Sequence, residues 1–167
     1  HNLDIAATLG ARLVVFHANY LTAMRNLPFR RAWTDRQVAF WGKMAEEAGA
    51  MGIRLAMENM WEYDPAIIAD VLRQVNSPWL ISCLDVGHAH LFSEVPFKNW
   101  LTELDGYIQY THLNNNGGRV DEHRGFDDGD VYGRADQPAR WNAATLLRRH
   151  HLRLGERQVQ TEYRAFA

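Results

Sequence analysis

Glu58, Asp85 and His112 follow one another at equal intervals of 27 residues, and each closes a short run that favours a strand: Leu55-Ala56-Met57, Leu80-Ile81-Ser82-Cys83-Leu84 and Tyr107-Ile108-Gln109-Tyr110-Thr111. His17 closes Leu13-Val14-Val15-Phe16 in the same way, and Glu162 closes Gln158-Val159-Gln160-Thr161. Carboxylates and imidazoles are the donors of a divalent-cation site, and both types are costly to bury without a partner. Each one alone has an ordinary explanation: His17 as a hydrogen-bonded rim histidine, Glu162 as the partner of an arginine. Five runs that all end on such residues are better explained by one shared cation.

The elements that would position them follow from the spacing. Twenty-seven residues is the length of one strand, one helix and two short connections in a β/α repeat. Strands of such repeats run parallel, so their C-terminal ends gather on one face and their last side chains converge. Between the strands, Asp35 caps an expected helix to about Met51 with Val38, Trp41, Met44, Ala45 and Ala48 as its buried stripe. Asp64-Pro65 opens a second to about Val75, Leu101 and Leu104 mark a short third, and a last one is expected from about Pro138 to Leu152. The basic residues Arg148 and Arg149, with His150 and His151, read as its solvated end. Gly10, Gly52 and Gly155 each stand between a helix and an arginine that precedes a strand, where glycine permits a left-handed helix exit.

Two motifs lie outside the strand ends. In Asp85-Val86-Gly87-His88 an imidazole follows the carboxylate at the mouth of the next loop. The irregular stretch from Asn114 to Asp136 is far longer than a usual βα loop and holds Arg119 and Asp121-Glu122-His123. Alternate residues of an extended segment point the same way, so Asp121 and His123 can hold a metal or a substrate together.

Composition narrows the class. A chain of 167 residues that is 47% hydrophobic and 23% charged fits one domain with a sizeable core, residues 1–167. A formal charge of −2 gives no general basic surface for nucleic acid. The single Cys83 sits among apolar strand residues and reads as a packed thiol in a reducing compartment. No apolar run approaches the roughly 20 residues of a membrane span, and His1-Asn2-Leu3-Asp4 does not read as a signal peptide. The expected location is cytoplasmic, with no membrane partner.

The succession Glu58, Asp85-x-Gly-His88, Thr111-His112-Leu113-Asn114, Asp121-x-His123 and Thr161-Glu162 resembles the xylose isomerase-like TIM-barrel superfamily. That group contains sugar-phosphate isomerases and epimerases together with endonuclease IV-type apurinic endonucleases. The resemblance implies an α/β fold of the (β/α)8 TIM-barrel type, of which this chain supplies the last five β/α units and not the first three. It implies Glu58, Asp85, His112 and Glu162 as ligands of the principal metal. It makes His88, His17, Asp121, His123 and Arg119 substrate-binding or second-metal residues; His17, Asp121 and His123 match nuclease ligands, but isomerase-like members carry a similar Asp-x-His, so they do not separate the two classes. Asn115 stands where many relatives carry aspartate.

Two activities then compete. A metal-dependent isomerase or epimerase of a sugar or sugar phosphate would use Glu58 and Glu162 to exchange a proton through an enediolate, with Arg119 or Arg124 meeting a phosphate or hydroxyl cluster. An apurinic-site phosphodiesterase would use clustered zinc ions and would need basic loops, for which Arg25, Arg30 and Arg31 are the local candidates. Arg30-Arg31 beside Trp33 could equally form a lid over a sugar. The near-neutral charge favours the isomerase; a catalytically idle binding module is a third reading. The metal expected is Mn²⁺, Co²⁺, Mg²⁺ or Zn²⁺. The partners are a small sugar, nucleic acid only under the second reading, and a second copy of the chain if a homo-oligomer covers the sheet edges.

Overall fold

The computed structural model describes residues 2–125 and 128–132. Four strands, β1 (Leu13–His17), β2 (Arg54–Glu58), β3 (Leu80–Asp85) and β4 (Ile108–His112), form one parallel sheet in the order β1-β2-β3-β4. Helices α1 (Asn2–Thr8), α2 (Leu27–Ala50), α3 (Ala66–Val75), α4 (Val86–Phe92) and α5 (Phe97–Glu103) precede and link them. The parallel β/α repeat is the one that the 27-residue interval implied, and four such strands with helical crossovers fit the partial TIM barrel that the resemblance implied. The expected strand ending at Glu162, the helix from Pro138 and the Gly155 junction lie outside the described residues.

Register decides which side chains meet. His17 pairs with Glu58 across β1 and β2, and Asp85 pairs with His112 across β3 and β4. An irregularity between Ser82 and Cys83 shifts β4, so that Ser82 faces Ile108 while Cys83 faces Tyr110. Side chains alternate along a strand, so this one-residue shift sets Tyr110 and His112 on the same face as Cys83 and Asp85. That face has an apolar floor of Ala56, Ile81 and Cys83 against Leu13, Val15 and Tyr110. The opposite face, with Leu55, Met57, Leu80 and Leu84, joins the larger core under the helices.

Two expectations about helices are corrected. α2 starts at Leu27, eight residues before the expected Asp35. Asn26 is its cap, with the side chain accepting from Phe29 N, and Pro28 fills the first turn where no N–H is required. Trp33 is therefore a buried residue of this helix and Arg30 binds Asp70 of α3, so this stretch packs α2 on α3 and is no lid. The expected stripe does face inward: Ala45 and Ala48 are buried, Val38, Trp41 and Met44 pack against the core, and Trp41 stacks on Phe16. Secondly, Asp85-Val86-Gly87-His88 is a capped helix start and not a loop mouth, because Asp85 Oδ1 accepts from His88 N at 2.8 Å. α3 and α5 fall where expected, and Gly10 and Gly52 take the left-handed exits with φ of 71° and 68°.

Gly49 shows how closely α2 meets the sheet. A Cβ there would lie 2.6–2.8 Å from the Trp79 indole just before β3. We expect Gly49→Ala to lower stability by about 1–3 kcal/mol through overpacking, more than the ~1 kcal/mol gained in helix propensity. A thermal or urea melt checks the sign; a stabilised variant would show that Trp79 moves aside freely.

Candidate metal and substrate site

The C-terminal ends of the four strands bring together Glu58, Asp85, His112 and, from the first turn of α4, His88. Glu58 Oε1 lies 2.7 Å from His112 Nδ1 and 3.7 Å from His88 Nδ1. Asp85 approaches the same two imidazoles, with Oδ1 3.7 Å from His88 Nδ1 and Oδ2 3.8 Å from His112 Nδ1. Donor atoms of Glu58, Asp85 and His88 lie within 4.8 Å of one another, and so do those of Glu58, Cys83 and His112. His17 stands at the mouth, half-exposed, with Nε2 3.5 Å from Glu58 Oε2. Glu162, the remaining expected ligand, lies outside the described residues.

A second group adjoins the first. Asp121 Oδ2 is 3.2 Å from His88 Nε2, and its Oδ1 is 3.1 Å from His123 Nε2. The two loop residues do not converge through an extended segment as expected: His123 has φ of 49°, a left-handed turn that brings its ring back onto Asp121. The segment is held by paired backbone bonds between Asn115 and Arg124 and by Glu122 accepting from Gly117 N. Arg124 is engaged with Glu122 and Asp128, and Arg119, between the paired Asn115 and Arg124, is exposed.

Asparagines that the strand-end pattern did not single out organise the carboxylates. Asn114 Nδ2 donates to Asp85 Oδ2 at 2.8 Å. Asn59 Nδ2 donates to the Asp85 carbonyl at 2.9 Å, and its Oδ1 accepts from Asp85 N at 2.8 Å. Asn115 is fully buried and uses Oδ1 to accept from Asn116 N and Val131 N, so it shapes the loop. Glu62, also buried, accepts from Tyr20 N and Met60 N and ties the loop after β1 to the loop after β2. Adjacent polar residues after Glu58 and after His112 were the only signal in sequence, and their targets are set by tertiary contact.

The electrostatics favour a cation. Burial raises the pKa of Glu58, but the His112 hydrogen bond and the positive influence of His112, His17 and His88 outweigh it, so the carboxyl sits below its ordinary value. At Asp85 burial prevails and raises the pKa. Burial also raises the Cys83 thiol, with Glu58 and Asp85 adding to it, which keeps it a protonated floor residue as expected. Glu58 is 4% exposed and Asp85 0%, and among the described residues only imidazoles form ion-pair contacts with them. Two buried carboxylates facing two imidazoles are a donor set that a first-row divalent ion fits, and such an ion would offset the cost of burying them.

A family model for the xylose isomerase-like TIM barrel matches residues 1–136. The chain belongs to that family. Among solved structures, the TTHB071 protein from Thermus thermophilus, soaked with ZnCl2, is 30% identical with a TM-score of 0.64 over 76% of this chain and 50% of its own. A D-tagatose 3-epimerase-like protein is 22% identical with a TM-score of 0.64, over 77% of this chain and 51% of its own. A xylose isomerase domain protein from Planctomyces limnophilus is 18% identical with a TM-score of 0.65, over 90% and 53%. The last two show the fold alone. The chain spans about half the length of these structures. No curated protein matches. Among the described residues no helix is long and apolar enough to cross a membrane.

Proposed function

We propose that this chain carries the principal metal site of a divalent-metal-dependent isomerase or epimerase acting on a sugar or sugar phosphate. The observation that carries the proposal is the pair of buried carboxylates, Glu58 and Asp85, directed at His112 and His88 at the C-terminal ends of parallel strands. Glu58, Asp85 and His112, with Glu162, would hold the cation, and Mn²⁺, Co²⁺, Mg²⁺ and Zn²⁺ all suit those donors. When bound, the cation would supply Lewis acidity that polarises a substrate carbonyl.

This chain's own groups account for the proton. The lowered pKa of Glu58 keeps it ionised and able to accept a proton from the carbon beside the carbonyl, and Glu162, outside the described residues, is the second candidate base. The Asn59 carbonyl can only accept, so His88 presents an N–H at Nδ1 and directs Nε2 toward Asp121. His88, Asp121 and His123 then orient substrate hydroxyls, with His17 at the mouth and Arg119 meeting a more distant oxygen or phosphate.

The second reading, zinc-dependent cleavage at an apurinic site, is favoured by one observation: His88, Asp121 and His123 offer donor atoms within 4.8 Å of one another, enough for a further cation. Against it, Arg25 and Arg30, two of the three basic candidates for backbone phosphate, are already bound to Glu94 and Asp70.

The test uses the full-length protein with added Mn²⁺ or Co²⁺. Ketoses, aldoses and their phosphates are incubated in D₂O and followed by NMR, beside a DNA duplex bearing an abasic site. Solvent deuterium should enter the substrate carbon next to the carbonyl while the duplex stays intact. Duplex cleavage with no exchange on any sugar would reverse the assignment. Asp121→Ala and His123→Ala should cost about 10-fold or less in kcat if they only orient substrate.

A further inference from the structure

β2 ends at Glu58, whose last ladder partner is Cys83, whereas β3 runs two residues further to Asp85. The backbone groups of Asp85 therefore lie beyond the last rung that β2 supplies. Asn59 fills the gap with its side chain, which donates to the Asp85 carbonyl at 2.9 Å and accepts from the Asp85 N–H at 2.8 Å. A primary amide presents one donor and one acceptor side by side, the complement of the two groups that a strand residue offers to its neighbour. The main-chain carbonyl of the same residue accepts from His88 Nδ1 at 2.8 Å. Asn59 is 1% exposed, and these bonds are buried.

We infer that Asn59 is the positioning residue of the metal site, acting as a side-chain rung that fixes the backbone of Asp85 and, through its own carbonyl, the tautomer and direction of His88. The inference rests on the metal reading above. Asp85 has little other freedom once this rung is in place: Oδ1 caps α4, and Oδ2 receives Asn114 and lies 3.8 Å from His112 Nδ1. Groups that hold a ligand without touching the metal set its orientation, and losing one such contact costs on the order of 10–100-fold in metal affinity.

The test compares wild type, Asn59→Ala, Asn59→Asp and Gly49→Ala in the full-length protein. Co²⁺ alone is the probe, read by titration and by its visible d–d spectrum, and amide exchange at Asp85 is followed in metal-free protein. Asn59→Ala removes both halves of the rung; Asn59→Asp keeps an acceptor for the Asp85 N–H and loses the donor, so it serves if the alanine variant does not fold. Both should bind Co²⁺ on the order of 10–100-fold more weakly with an altered spectrum, and Asn59→Ala should expose the Asp85 amide to exchange. Gly49→Ala, destabilised away from the site, should keep wild-type affinity and spectrum. Wild-type Co²⁺ affinity and spectrum in the Asn59 variants would overturn the role of Asn59 alone; a wild-type protein that binds no Co²⁺ would overturn the metal reading and this inference with it.

Discussion

Glu58→Gln should lower kcat for exchange of the substrate proton by about 10²–10⁴-fold, the usual range for loss of a general base. The exchange of oxygen for NH₂ preserves shape at a position only 4% exposed, so the fold should survive. The amide keeps the shape beside His112 Nδ1, now 2.7 Å from the carboxylate, while position 58 no longer carries a group that takes the proton. The negative charge is lost as well, so the metal should bind more weakly, and the assay is run at saturating Mn²⁺ to separate the effects. NMR in D₂O gives the rate and circular dichroism the fold. A variant that exchanges at the wild-type rate would remove Glu58 from the chemistry and leave Glu162 as the sole base. The neighbouring His17→Ala change should be milder, because His17 is half-exposed and approaches Glu58 at 3.5 Å.

The strands were legible because two independent signals coincided. A run of apolar residues set each strand, and a costly polar residue marked the point where it leaves the core; β1 and β3 match their expected bounds and β2 and β4 differ by one residue at the start. The converging residues were legible for the same reason, since parallel strands gather their C-terminal ends on one side, although the face each last side chain takes is set by register. What the pattern did not show depends on contacts between elements. The start of α2 was misplaced because Asp35 is a good cap type that happens to lie inside a helix already capped by Asn26. His88 was read as a loop residue because nothing local reveals that Asp85 caps its own following helix while also facing His112.

The same limit hid the asparagines. In sequence Asn114 and Asn115 stand out only through the family resemblance and Asn59 and Asn116 not at all, and in the fold all four are buried. Asn59, Asn115 and Asn116 satisfy strand-end and loop backbone while Asn114 donates to Asp85, which is why a polar cluster can occupy the end of an apolar sheet. A donor set of this kind is specified twice: once by the strand-end residues, which are visible in spacing, and once by neutral amides, which are visible only when the strands are side by side.

Gly87→Ala should be the most damaging small substitution outside the donor residues. Gly87 is buried in the first turn of α4, and a Cβ there would overlap the Asn114 amide, with Oδ1 nearest. Asn114 can move only by releasing Asp85 Oδ2, to which it donates at 2.8 Å. Overpacking costs about 1–3 kcal/mol and loss of a hydrogen bond to a charged group about 1.5–3 kcal/mol, against ~1 kcal/mol gained by replacing glycine in a helix. The net loss should be about 2–4 kcal/mol, and Co²⁺ affinity should fall on the order of 10-fold because Asp85 is no longer held. Combining Gly87→Ala with Asn114→Ala separates the two effects. The smaller residue makes room for the new methyl, so the double variant should be more stable than Gly87→Ala alone, while its metal affinity should stay low because the donor to Asp85 is still missing. Recovery of both stability and affinity in the double variant would show that Asn114 does not orient Asp85; recovery of neither would show that the clash lies elsewhere in α4.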